Sequence, residues 1–277
     1  AKTWPALLMD ALNQQRGGDT VWVGNIGISG FDTRDHIRFL ETSPLLEGID
    51  GVVVQAGIND LWRYLANEEE HIRYDRFLPG VTLAPPDVKA PATPAVYRPL
   101  WTRSRVIQLY HTLRQERVTP REAPKPETIE GIGGEEYRLR REKRAAAKIV
   151  DTLPELNRGV REYAERIRHI IRLCRKRGIQ VVFTTQPVLW RDDLPPELAE
   201  RCWFGWLENG DYLSIAALRA AMDRYNDALR ETCGEFQVPC VDLSEMNGNP
   251  AYFYDDCHFT IAGSEEVAGR VAAIFGK

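Results

Sequence analysis

The chain has 277 residues, a formal net charge of −4, 43% hydrophobic and 27% charged residues. That balance supports a core needing no staples, and it argues against a polybasic nucleic-acid binder or a protein drawn to anionic membranes. No apolar run approaches the roughly 20 residues of a membrane span, and the five cysteines, an odd count, follow no zinc-binding spacing.

The chain opens Ala1-Lys2-Thr3-Trp4, without an initiating Met or a secretory leader pattern, so its compartment is not legible from this end. Thr3 is expected to cap a first helix opened by Trp4 and Pro5, with Leu8, Ala11 and Leu12 on one stripe. Thr20–Asn25 (TVWVGN) reads as a strand, followed by a short helix over Thr33–Leu40. Gly51–Ala56, Gln180–Thr185 and Val238–Leu243 are the other strands, short enough and β-branched enough for a sheet buried on both faces. From about Glu68 to Gly134 the strand rhythm stops and prolines cluster on either side of a helix expected at Arg103–Gln115. This region is expected to be a long insertion in a single domain, as a cap or lid beside the site or as a surface excursion. The basic stretch Arg138–Lys148 is expected to be a solvated helix face. The clearest helix is Glu155–Arg177, with Leu156, Val160, Tyr163, Ile167, Ile170, Ile171 and Cys174 at helical spacing and Gly178 as its stop. Ser214–Cys233 and Ile261–Phe275 complete the helices. Strands alternating with helices predict an α/β fold with a parallel sheet.

Three segments carry candidate chemistry. Asn25–Gly30 (NIGISG) holds Gly27 and Gly30, which allow a sharp turn with accessible backbone N–H groups; the plainer reading is a turn without chemistry. Gln55–Asp60 (QAGIND) puts the Asn59 amide after a strand, at the sheet edge where ligands of open α/β sheets bind, with a helix cap as the plainer role. Tyr254–Thr260 (YDDCHFT) separates Asp255 and His258 by two residues, a spacing that lets a carboxylate reach imidazole Nδ1 and leave Nε2 as a general base. A metal role for Asp255 and His258 lacks further ligands, and His36, His71, His111 and His169 sit in no comparable setting. Cys233 and Cys240 are either small core residues or a pair for an oxidising compartment. Trp62, Tyr64, Trp190, Trp203, Phe204 and Trp206 either line a pocket or, the preferred reading, pack.

In this order the three segments resemble the SGNH (GDSL-like) hydrolase superfamily. Gly30 matches its N-x-G-x-S-G block, Gly57-Ile58-Asn59-Asp60 its G-x-N-D block and Asp255-Asp256-Cys257-His258 its D-x-x-H block; Thr184-Thr185-Gln186-Pro187 is similar to its later strand. The resemblance implies a flavodoxin-like three-layer α/β/α fold with a parallel sheet. It further implies His258 as base, Asp255 as the residue that orients it, and Gly30 N–H and Asn59 as oxyanion donors. The implied activity is serine-dependent ester hydrolysis of the esterase, lipase or carbohydrate deacetylase type, on small-molecule, glycan or lipid esters, with no cofactor and no metal. The family's G-D-S block has no match. None of the 24 residues before Asn25 is serine, and Ser29, Ser43, Ser104, Ser214, Ser244 and Ser264 lie in no nucleophile-elbow context. The expectation is therefore no nucleophile in this chain, an upstream serine, and a missing first strand whose loss leaves the Thr20–Asn25 strand without its neighbour. The alternatives are a catalytically inactive binding relative or an O-acyltransferase. A nucleotide-binding domain is weaker, because NIGISG is not G-x-G-x-x-G and no P-loop is present.

Overall fold

The computed structural model describes residues 3–17, 21–66 and 134–275. The chain is an α/β protein. Helix α1 (Trp4–Arg16) and α2 (Thr33–Thr42) precede β1 (Gly51–Gln55) and α3 (Ile58–Ala66). Then come α4 (Gly134–Ala146), β2 (Ile149–Val150), α5 (Asn157–Lys176), β3 (Gln180–Thr184) and the single-turn α6 (Pro196–Ala199). Strand β4 (Tyr212–Leu213), α7 (Ile215–Phe236), β5 (Cys240–Val241) and α8 (Ile261–Phe275) complete the order. The main sheet is parallel in the order β1-β3-β5, with Val53 opposite Val182 and Phe183 opposite Cys240; β2 and β4 form a separate parallel pair. One helix group packs α1 on α8, and α8 reaches β5; the other packs α5 on α2, α3 and α7, and α5 reaches β3. Each group covers apolar strand residues that one layer alone would leave wet.

Helix α5 shows why the sequence folds this way. Tyr163, Ile167, Ile170, Ile171 and Cys174, all on one helical face, are fully buried. Gly178, at φ +69°, turns the chain out of the helix and into β3.

The expected strand at Thr20–Asn25 does not form over residues 21–25, which are not in regular structure. A strand needs a neighbour's ladder, and the Asn13 side chain takes that place at one residue only. Its Nδ2 donates to Val21 O at 2.9 Å and its Oδ1 accepts from Val21 N at 2.8 Å. Trp22 in this segment is 73% exposed. The last expected strand shrinks to Cys240–Val241, because its ladder to β3 continues through the Thr185 side chain, whose Oγ1 accepts from Leu243 N at 2.7 Å. The expected insertion at about Glu68 to Gly134, with its Arg103–Gln115 helix, lies outside the described residues up to the start of α4. Among the described residues no helix is long and apolar enough to cross a membrane.

The basic stretch Arg138–Lys148 is not simply a solvated face. Arg144 is 8% exposed and staples α4 to the next layer, donating to Phe204 O through Nη1 and to Leu213 O through Nη2 at 2.8 Å. Arg140, one turn earlier, is also turned inward (below).

A buried ionic network joins α2, α3 and α5. Asp32 caps α2 reciprocally with Asp35 in a capping box. Arg63 of α3 reaches Asp32 at 3.2 Å and Asp35 at 3.3 Å. Asp60 of α3 accepts from Thr33 N and Oγ1 and pairs with Arg166 of α5 at 3.2 Å. Burial alone would raise the Asp32 carboxyl, but the Arg34 hydrogen bond and the charges of Arg63, Arg34 and Arg166 hold it below its ordinary value. Burial and the Asp32 charge push Asp60 up to about 6. Removing one partner of such a buried network strands the other. Arg63→Met is expected to cost about 3–5 kcal/mol, read as a lower urea midpoint at unchanged slope; a loss within error would mean Arg63 does not hold α2 to α3.

Candidate functional site

The three sequence segments gather at the carboxyl ends of the parallel strands, where an open α/β sheet leaves its crevice. Gly57, at φ +130°, follows β1 in a backbone that favours glycine; a Cβ there would also sit 2.9 Å from the flexible Met222 methyl. The turn lets α3 start at once and puts Asn59 in its first turn. Asn59 is not the cap of that helix. Its Nδ2 donates to Phe31 O at 2.8 Å, across to the turn that carries Gly30. Gly30 has φ +82°, and its carbonyl accepts from Arg63 Nη2 at 3.2 Å. Asn59 and the Gly30 turn are thus locked side by side by the same helix that carries the ionic network.

Asp255 and His258 are brought together. The turn 255–258 closes on the Asp255 carboxylate, whose Oδ1 accepts from Cys257 N at 3.1 Å and His258 N at 2.9 Å. His258 Nδ1 lies 2.8 Å from Oδ2, which also accepts from the Trp203 indole at 3.0 Å. Asp255 is 1% exposed, whereas the His258 side chain keeps 44% of its surface. That combination suits base chemistry: a buried acceptor fixes Nδ1–H, and Nε2 stays accessible. Burial would raise the Asp255 carboxyl, but the hydrogen bond and charge of His258 hold it below its ordinary value. Burial would lower the imidazole, but the hydrogen bond and charge of Asp255, with Asp256 behind it, raise it above 6.5.

The sequence offered no signal for Asp256, which occupies a variable position of the D-x-x-H pattern. It is fully buried and holds the site's walls, accepting from Trp190 Nε1 at 2.7 Å and from Trp203 N at 2.7 Å; its own carbonyl accepts from Leu189 N at 2.9 Å. Burial, and then the Asp255 charge, push its carboxyl up to about 6. The aromatics divide. Trp190 and Phe204 are core. Tyr64 donates to Glu155 O at 2.8 Å. Trp203 and Trp62, edge to face at 6.4 Å, join the 255–258 turn to α3. Tyr137 of α4, which no motif marked, stands edge to face with His258 at 5.5 Å.

Asp255, Cys257 and His258 bring a carboxylate oxygen, a sulfur and a ring nitrogen within 4.8 Å of one another. As a metal site the trio is poor. Both Asp255 oxygens already hold N–H donors. Burial and the Asp255 and Asp256 charges push the Cys257 thiol well up, against the thiolate a metal needs. Cys233 and Cys240 are free thiols, and a cavity of about 530 Å³ beside Ser43–Asp50 and Ile179 opens at the amino ends of the strands, away from this chemistry.

The raised imidazole has a sign that can be checked. A His whose folded value lies above its unfolded one adds stability below about 6.5 and loses it as pH rises through the folded midpoint. NMR titration of His258 is expected to give a midpoint above 6.5, moving down in Asp255→Asn; equal midpoints in the two proteins would remove Asp255 as its cause.

No family model matches the chain, and no curated protein does. Among solved structures it is similar to LAE5, an alpha/beta hydrolase enzyme from the metagenome of Lake Arreo, Spain, at 14% identity, with 99% of this chain and 81% of that one covered and a TM-score of 0.51. It also aligns with the acetyl xylan esterase AlAXEase at 12% identity, 98% and 90% coverage and a TM-score of 0.49. A catalytic mutant of Axe2, an acetylxylan esterase from Geobacillus stearothermophilus, aligns at 14% identity, 100% and 81% coverage and a TM-score of 0.49. The likeness to LAE5 places the chain in the same α/β fold.

Proposed function

We propose that this chain carries the base and oxyanion-binding parts of an SGNH-type ester hydrolase. The observation that carries the reading is the buried Asp255 carboxylate on Nδ1 of an exposed His258, in a turn that Trp203 and Trp62 join to α3, the helix carrying Asn59. In this mechanism His258 Nε2 takes the proton of a serine hydroxyl as its oxygen attacks the ester carbonyl, and Asp255 stabilises the imidazolium. The Gly30 N–H makes no hydrogen bond among the described residues and would serve the oxyanion. Asn59 spends one amide proton on Phe31 O, which fixes its rotamer, and has a second for the same oxygen. The proton then passes from His258 to the leaving alcohol, and water repeats the cycle on the acyl-enzyme.

Among the described residues no serine is hydrogen-bonded to His258. Ser43 and Ser214 are helix caps and Ser264 is buried. This favours the second reading, a relative that binds an ester in the cleft without cleaving it; an acyltransferase differs from the first reading only in the acceptor.

Labelling with a fluorophosphonate probe and peptide mapping, on the chain with a serine-bearing G-D-S segment supplied ahead of it, separates these. A label lost in His258→Ala, with ester turnover lowered about 10²–10³-fold in Asn59→Ala, is the expected result. Labelling indifferent to His258 would sink the assignment of the base. No labelling, with binding of an acetylated sugar at His258 intact, would move the chain to the second reading.

A further inference from the structure

Helix α4 presents Tyr137, Arg140 and Arg144 at spacings of three and four, on one face. Tyr137 rests against His258 at one end of that face, and Arg144 is stapled to Phe204 O and Leu213 O at the other. Arg140 lies between them in an aromatic box. Its guanidinium carbon is 4.8 Å from the ring centre of Trp203, 5.1 Å from Trp62 and 5.3 Å from Tyr137. Two of these rings also flank the imidazole: Tyr137 at 5.5 Å and Trp203, nearly parallel to it, at 6.4 Å. A held cation therefore sits one aromatic ring away from the exposed base.

That placement works against the base. A positive charge nearby disfavours the imidazolium that His258 becomes on taking a proton. Among the described residues neither Asp255 nor Asp256 makes an ion pair with Arg140; their oxygens accept from Trp203, Trp190 and their own loop. The carboxylate that Arg140 does hold is Glu136, one turn back on the same helix, at 2.5 Å through Nη2. Glu136 is 65% exposed, so the pair is solvated and easily exchanged. It shows which anion the box accepts and how it is presented, while a guanidinium has further N–H donors for an incoming group.

Resting on the ester-hydrolase reading of the same cleft, we infer that Arg140 is its specificity-determining residue and selects esters whose alcohol part carries a carboxylate, an acetylated uronic acid being the simplest case. The substrate carboxylate displaces Glu136 from Arg140, and the substrate's ring lies against the exposed side of the aromatic box beside His258. Its negative charge offsets the penalty that Arg140 places on protonated His258.

Two probes of equal size test this: the 3-O-acetyl ester of methyl glucuronoside and that of methyl glucoside. Binding is read by calorimetry and located by the His258 imidazole signals. The charged ester is expected to bind about tenfold tighter, as for one charge-assisted contact. The ratio should fall to about one in Arg140→Gln and widen in Glu136→Gln, which removes the competing carboxylate. Equal binding of both esters at His258, or a preference that survives Arg140→Gln in a protein with unchanged circular dichroism, would overturn the assignment and leave the ester site standing. If neither ester moves the His258 signals, both fall. If Arg140→Gln does not fold, Glu136→Gln decides alone, and an unchanged ratio overturns the proposal.

Discussion

Three carboxylates, Asp32, Asp35 and Asp60, lie within the protein beside only a few cations, and the position of the site depends on how those charges are shared. Arg63 spans Asp32 and Asp35, and Arg166 reaches in from α5 to Asp60. Each ion has given up water, so each must be answered by a partner with a fixed direction. Those directions set the geometry. Arg63 also donates to the Gly30 carbonyl, and Asp60 accepts from the first turn of α2. Asn59 is the residue before Asp60, so locking Asp60 locks the face of α3 that Asn59 presents. The side of the site proposed to hold the oxyanion is thus set by this ion network.

The side carrying the proposed base is organised by two adjacent carboxylates with opposite environments. Asp255 faces the imidazole and is held ionised by it; Asp256 turns inward to two tryptophans and is raised to about 6 by burial. One neighbour acts on the chemistry while the other builds the wall. Trp203 connects them, since its backbone N–H goes to Asp256 and its indole to Asp255. The wall and the carboxylate that fixes His258 therefore cannot move independently.

The fold was legible wherever the sequence carried a period. The apolar stripe of α5 from Tyr163 to Cys174 and the valines of β1 and β3 were read correctly, because burial on known faces leaves that mark. The segment at Val21–Asn25 misled because β propensity describes a residue's readiness for a ladder and not whether a neighbour supplies one. The pairing of Asp255 with His258 was visible because its spacing is local. Arg140, Tyr137 and Asp256 were not: a helix of mixed charge looks solvated in one dimension, and only the docking of α4 on the segment from Trp203 to Leu213 turns part of it inward. The buried ions were invisible for a related reason, since Asp32, Asp60 and Arg166 meet from three separate stretches of chain.

The two sides of the cleft differ in how far apart their parts lie along the chain. Asp255 reaches His258 across three positions, while Thr33 meets Asp60 across 27 and Arg166 meets Asp60 across 106. Closing a short loop sacrifices little chain entropy, and closing a long one waits on much of the tertiary structure. The carboxylate–imidazole pairing itself closes locally, with Trp203 fixing its place from 52 positions away, whereas the alignment of Gly30 with Asn59 exists only when the two distant stretches are docked. If the proposed roles hold, loosening the body of the protein would blur the oxyanion side before it separates Asp255 from His258.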